Sequence, residues 1–216
     1  MNEALVEEAR QAHRLIRSAR LRGESLRQRI LEVPKADRDE WVDVALGLPS
    51  WADDVDLPVE GVPYLPCSVS VVLNALQAVP VTRDDVFVDL GSGLGRVVML
   101  ANLITGATAV GIEYQRHLTH IAESSRQGLG LEGVTFVTAD ASRQPLSGSV
   151  FFLYSPFNGA TLKAVVARLN QLAVERPLTV CTVDFELPGL VGFQCARLPN
   201  APDISISRTH RATSEP

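Results

Sequence analysis

The run Val86-Phe-Val-Asp-Leu-Gly-Ser-Gly-Leu-Gly-Arg-Val-Val-Met-Leu100 constrains the fold more than any other part of this chain. Val86 to Leu90 are apolar apart from one acid, as in a strand buried on both faces of a parallel sheet. Three glycines at alternate positions, Gly91, Gly93 and Gly95, then permit a sharp turn and let a ligand approach bare backbone. The apolar run that follows predicts a helix, whose first turn offers unpaired N–H groups to polar or anionic ligand groups. A dinucleotide-binding G-x-G-x-x-G would place its third glycine at position 96, which is Arg96. Here the spacing is G-x-G-x-G, and Asp89 stands two residues before the first glycine. An acid at that place suits a ligand with a cationic end better than a pyrophosphate.

Further strands continue the pattern. Ala109-Val-Gly-Ile-Glu113 reads as a second strand ending in an acid, 24 residues past Asp89. That is near the roughly 20-residue separation at which an acid meets ribose hydroxyls in nucleotide-binding βαβ units. Tyr114 follows and offers a ring to an adenine face. Val134 to Thr138 reads as a third strand leading into Ala139-Asp140-Ala141, and Val150 to Tyr154 as a fourth opening into Ser155-Pro-Phe-Asn158. Any one of these acids alone is an ordinary polar cap. Together they fall at successive strand carboxyl ends, where open parallel sheets bind ligands. Leu162, Val165, Val166, Leu169 and Leu172 recur at helical spacing, and Pro177 to Phe185 reads as a fifth strand. Gly192 to Arg197 and Asp203 to Arg208 are joined too closely to be parallel, so an antiparallel hairpin is expected. Asp140 to Ser149 and Glu186 to Val191 are too short for full crossover helices, which implies a trimmed fold.

The stretch Asp89-Leu-Gly-Ser-Gly-Leu-Gly95 resembles motif I of the class I S-adenosylmethionine (SAM) methyltransferases, and the resemblance extends over about residues 62 to 210. It implies an α/β, Rossmann-like sheet of seven mostly parallel strands with the antiparallel hairpin at the C-terminus. The cofactor implied is SAM, held by Tyr64, Asp89, Gly91, Ser92, Gly93, Gly95, Glu113, Tyr114, Asp140, Ala141 and Tyr154, with Asp140 and Ala141 where the family meets the adenine amino group. Dot1-type histone-lysine enzymes share D-L-G-S-G-x-G followed by G-x-E, here Gly111-Ile-Glu113. Some protein-lysine methyltransferases carry Tyr-x-Pro-Thr before this unit; Tyr64-Leu-Pro-Cys67 resembles it but departs at Cys67. Ser155-Pro-Phe-Asn158 resembles the fourth motif, so Ser155 and Asn158 are the expected catalytic residues that position the acceptor. It has one proline where amino-methylating nucleic-acid enzymes often have two, which weakens adenine or glutamine methylation. The activity implied is methyl transfer with a protein lysine as leading acceptor. A small-molecule acceptor and a non-catalytic SAM-binding scaffold are the alternatives.

Residues 1–60 are expected to form a helical extension or cap, 61–210 the SAM-binding domain and 211–216 a flexible tail. Leu5, Ala9, Ala12, Leu15, Ile16, Ala19, Leu26 and Ile30 suggest one or two amphipathic helices, and Asp39 to Leu46 a short one anchored by Trp41. The first thirty residues hold seven arginines against four acids, and the next thirty hold nine acids against Lys35 and Arg38. This asymmetry fits a solvated helix lying on the catalytic domain, a lid over the site or a homodimerising arm. Ser68 is placed to cap a helix over Val69 to Ala78. The formal charge of −5 gives no general nucleic-acid footprint. No run reaches the roughly 18 apolar residues of a membrane span, and no secretory signal is expected. Three cysteines, Cys67, Cys181 and Cys195, lack metal-ligand spacing and read as free thiols of a cytoplasmic protein. His117 and His120 have no third ligand nearby, so no metal site is expected.

Overall fold

A computed structural model of the protein describes residues 1–49 and 62–209. One sheet holds β1 (Val86–Leu90), β2 (Thr108–Glu113), β3 (Val134–Thr138), β4 (Val150–Tyr154), β5 (Thr179–Val183), β6 (Phe193–Leu198) and β7 (Ala201–Thr209). Their order is β3-β2-β1-β4-β5-β7-β6. The first five strands run parallel, and β7 pairs antiparallel with both β5 and β6. The mostly parallel sheet with a closing hairpin is therefore as expected. Strand order reverses direction between β1 and β4, which leaves a crevice outside their carboxyl ends.

Alternation along the strands feeds two cores. Phe87, Ala109, Phe152 and Cys181 face one side, with the helices α4 (Val69–Ala78), α5 (Arg96–Thr105) and α6 (Arg116–Leu129). Val88, Leu90, Phe151, Leu153 and Val180 face the other, against Val165 and Leu169 of α7 (Gly159–Glu175). Among the described residues α7 is the only helix on that second face. The short connections expected from the sequence explain the imbalance. Their apolar residues Leu146, Leu187 and Leu190 join the same core in place of helices.

The N-terminal region folds as α1 (Glu3–Arg17), α2 (Gly23–Glu32) and α3 (Arg38–Leu46). The chain breaks between the first two at Ala19, whose φ is 57°. α1 buries Ala9, Ala12 and Ile16 and packs against α3 and α6, so its apolar stripe is covered within the chain. Trp41 is fully buried, as expected of an anchor. One local expectation fails. Ser68 precedes α4 but its side chain makes no cap hydrogen bond. The Val69 N–H instead donates to Asp39 Oδ1 at 2.7 Å, because α3 delivers an acid to the start of α4. The expected boundary at residue 60 and the tail from 211 lie outside the described residues. Among the described residues, no helix is long and apolar enough to cross a membrane.

Candidate active site

A cavity of about 300 Å³ opens at the carboxyl ends of β1, β2, β3, β4 and β5. Tyr64, Asp89, Gly91, Ser92, Glu113, Tyr114, Asp140, Ala141, Tyr154 and Ser155 all line it, drawn from five separate stretches of chain. Their convergence follows from parallel topology, which brings every strand's carboxyl end to one edge.

Three expected residues stand elsewhere. Gly93 and Gly95 do not line the cavity; they let other groups approach the turn. A Cβ on Gly93 would overlap the Tyr64 ring, and one on Gly95 would overlap the Phe136 ring. Both have positive φ, 52° and 81°, so they shape the loop. Asn158 is exposed and immediately precedes α7, outside the cavity lining. Gly93→Ala is accordingly expected to destabilise the protein by about 1–3 kcal/mol through overpacking and backbone strain, read by denaturant unfolding.

Asp89 is 3% exposed and has no cation or hydrogen-bond donor among the described residues. Burial, reinforced by the charge of Glu113, holds its carboxyl well above the usual carboxylate range. A buried carboxylate without a partner is costly, so a cationic ligand group matches what the protein leaves unsatisfied there. Ser92 Oγ, in the glycine turn, is likewise buried without a partner among the described residues. Glu113 is handled differently. Its Oε2 accepts the Gly93 N–H at 2.8 Å and its Oε1 the Gln115 N–H at 2.8 Å. Burial raises its pKa, and these backbone donors oppose the rise. The acid at the end of β2 therefore clamps the glycine loop, and each oxygen keeps a second lone pair for a hydroxyl donor.

Arg96 escaped the sequence reading as a site residue, although it was visible as a cation in the first turn of an apolar helix. It is 5% exposed, lines the cavity and forms a bidentate pair with Asp43, Nε–Oδ1 2.8 Å and Nη2–Oδ2 2.5 Å. It also donates to the Cys67 carbonyl at 2.9 Å. Burial would lower its pKa, but Asp43 more than offsets this and keeps it cationic. Arg96 thus ties α3 and the Tyr64–Cys67 segment to the start of α5. No described residue of 1–49 lines the cavity, and α1 to α3 pack behind it, with α3 joined to the site through Asp43 and Arg96. Tyr64 lies over the glycine turn with its ring against Gly93, and burial raises its hydroxyl pKa. Asp184, at the end of β5, also lines the cavity and was not anticipated. Cys67 and Cys181 are buried, with the Cys181 thiol pushed up to about 12 by burial, and both serve as packing groups. Among the described residues no cluster of His, Cys, Asp and Glu has metal-holding geometry.

A parallel sheet in this order, with a glycine turn after β1, a clamping acid after β2 and a cavity across the reversal point, defines the class I SAM-dependent methyltransferases. Comparisons with known proteins agree. The family model described as "Histone methylation protein DOT1" matches residues 64–134, less than half of the chain. An RNA methyltransferase from Salinibacter ruber, solved with S-adenosyl-L-homocysteine, is 27% identical over 70% of this chain and 97% of its own, with a TM-score of 0.54. A mutant of MtNAS in complex with S-adenosylmethionine shares the fold at 16% identity over 65% of this chain and 60% of its own, with a TM-score of 0.53. The comparison with curated proteins gave no match. The chain belongs to the class I SAM-dependent methyltransferase superfamily.

Proposed function

We propose that the protein transfers a methyl group from SAM to an amine, with a protein lysine side chain as the leading acceptor. The observation that carries the acceptor reading is the charge of the cavity. Among its described lining residues Arg96 is the only cation, and Asp43 occupies it, while Asp89, Glu113, Asp140 and Asp184 are acidic. Such a lining favours cationic partners and disfavours a phosphodiester backbone. SAM supplies a methyl group already activated on a sulfonium. The chain's own task is then to hold the acceptor in line and exclude water. Asp89 answers the cationic end of the cofactor, Glu113 its ribose hydroxyls, and Asp140 and Tyr114 its adenine. Tyr64, Gly91, Ser92, Ala141 and Tyr154 complete the lining. Gly93 and Gly95 act by shaping the turn.

Ser155 is the positioning group for the acceptor. It lines the cavity, its φ is 40° and its Oγ donates to the Val183 carbonyl at 3.4 Å, beside the end of β5. Ser155→Ala should lower turnover about tenfold or more while SAM affinity stays within twofold. Asn158→Ala, outside the lining, should change neither. Equal turnover for wild type and Ser155→Ala would remove Ser155 from the acceptor site.

An RNA acceptor is the second reading, favoured by the likeness to the Salinibacter ruber enzyme over nearly all of that chain. Tritiated SAM, incubated with protein and cell lysate, separates the two. Label in a protease-sensitive, ribonuclease-resistant band supports the protein acceptor. Label lost to ribonuclease supports RNA, and label confined to small metabolites overturns both.

A further inference from the structure

Ser155 and Asp184 directly follow β4 and β5 and stand side by side, because Tyr154 is in register with Val183. Both are non-glycine residues with positive φ, 40° and 65°. Conformations of this kind are sparsely populated and concentrate at functional sites. Here the fold enforces one of them. The Asp184 N–H donates to the Asp203 carbonyl at 2.9 Å, which fixes the turn as the chain leaves β5. The turn delivers Asp184 to the cavity lining, where it is exposed and lies near the Tyr154 side chain. Burial raises the Tyr154 hydroxyl pKa, and the adjacent Asp184 charge raises it further.

Of the four acids lining the cavity, Glu113 accepts backbone N–H groups and Asp140 pairs with Arg143 and Ser142, whereas Asp89 and Asp184 have no cationic partner among the described residues. Asp89 lies on β1 and Asp184 at the end of β5, two strand positions away in the sheet. At about 4.8 Å per strand their backbones stand on the order of 10 Å apart. One small cationic group cannot satisfy both. The cationic end of the cofactor answers Asp89, which leaves Asp184 for a second cation at the Ser155 side, where the acceptor enters.

We propose that Asp184 is the specificity residue for the acceptor, its carboxylate drawing in the ammonium end of an aliphatic amine, which gives up one proton to solvent to free the nitrogen lone pair for methyl transfer. This deepens the amine-acceptor reading above and rests on the same placement of the cofactor. The site selects against neutral acceptors of the same shape, because only a cation returns the hydrogen bonding and charge that Asp184 offers.

The test uses the full chain saturated with S-adenosyl-L-homocysteine, whose own binding is first measured by calorimetry. Two probes are then titrated by amide chemical-shift perturbation: N-acetyl-lysine-N-methylamide and its neutral counterpart N-acetyl-norleucine-N-methylamide. Wild type should bind the lysine probe at least about tenfold more tightly. Asp184→Asn keeps the shape and tolerates positive φ, and Asp184→Gly removes any backbone objection. Both should reduce the preference to within about twofold and leave S-adenosyl-L-homocysteine affinity unchanged. A preference retained in both variants, or absent from wild type, overturns the assignment of Asp184 while the cofactor reading stands. Failure of wild type to bind S-adenosyl-L-homocysteine overturns the cofactor reading, and this proposal with it.

Discussion

Asp43→Ala should destabilise the protein by about 3 kcal/mol or more, the largest loss expected from any single side chain at the site's support. The substitution removes one acid, yet its cost lies in what remains. Arg96 has a side chain only 6% exposed, and without Asp43 its guanidinium keeps, among the described residues, the Cys67 carbonyl at 2.9 Å and the distant Asp39 at 4.0 Å. A buried cation stripped of its bidentate partner loses far more than an exposed pair would. Removing both charges together tells the pair's net worth from the penalty of orphaning one member. Asp43→Leu with Arg96→Met should recover most of the loss, read from urea unfolding of all four cycle members. A loss under about 1 kcal/mol in Asp43→Ala would show that α3 does not hold the glycine turn in place.

Asp89→Asn should act in opposite directions on stability and on binding. In the ligand-free protein the carboxyl is buried beside Glu113 and holds its proton more tightly than in the unfolded chain. Stability therefore falls as pH rises from the usual carboxylate range, about 3.9, up to the raised folded-state value, and is level beyond it. Asparagine carries no such charge, so the variant should be the more stable protein at neutral pH and should lose most of that slope, Glu113 keeping the remainder. A cationic cofactor favours the ionised carboxylate, so wild-type SAM affinity should climb with pH through the same window and then level. Asp89→Asn should bind SAM about 10- to 100-fold more weakly and with a flatter pH profile. Thermal unfolding and calorimetry at several pH values check both halves. A variant that gains stability and keeps its SAM affinity would place the cationic group of the cofactor elsewhere.

Local pattern carried the strands, the glycine turn and the acids at the ends of β2 and β3, because each depends on residues adjacent in sequence. Val134–Thr138 and Val150–Tyr154 are found at their expected bounds, and the short connection from Asp140 to Ser149 leaves one sheet face to α7. Contacts between distant segments were not legible. Arg96 and Asp43 are 53 residues apart, and no spacing rule links a helix of the extension to the first turn of α5. Asp39 replaces Ser68 at the start of α4 for the same reason, since tertiary packing brings a better acceptor than the local one. Asp184 was hidden by a boundary. Pro177 to Phe185 reads as one strand, yet β5 ends at Val183, and the positive φ of Asp184 turns an apparent strand residue into a cavity residue. Asn158 shows the converse. Ser155 to Asn158 reads as one loop, but α7 begins at Gly159 and leaves Asn158 outside the lining.

Calorimetric titration of the purified full chain with SAM, run beside NAD and ATP, tests the central claim most directly. The account predicts micromolar SAM binding, weakened in Glu113→Ala by about 1–3 kcal/mol through loss of the ribose contact and of the clamp on Gly93. Binding of NAD or ATP with SAM silent would contradict it and assign the glycine turn to a different nucleotide.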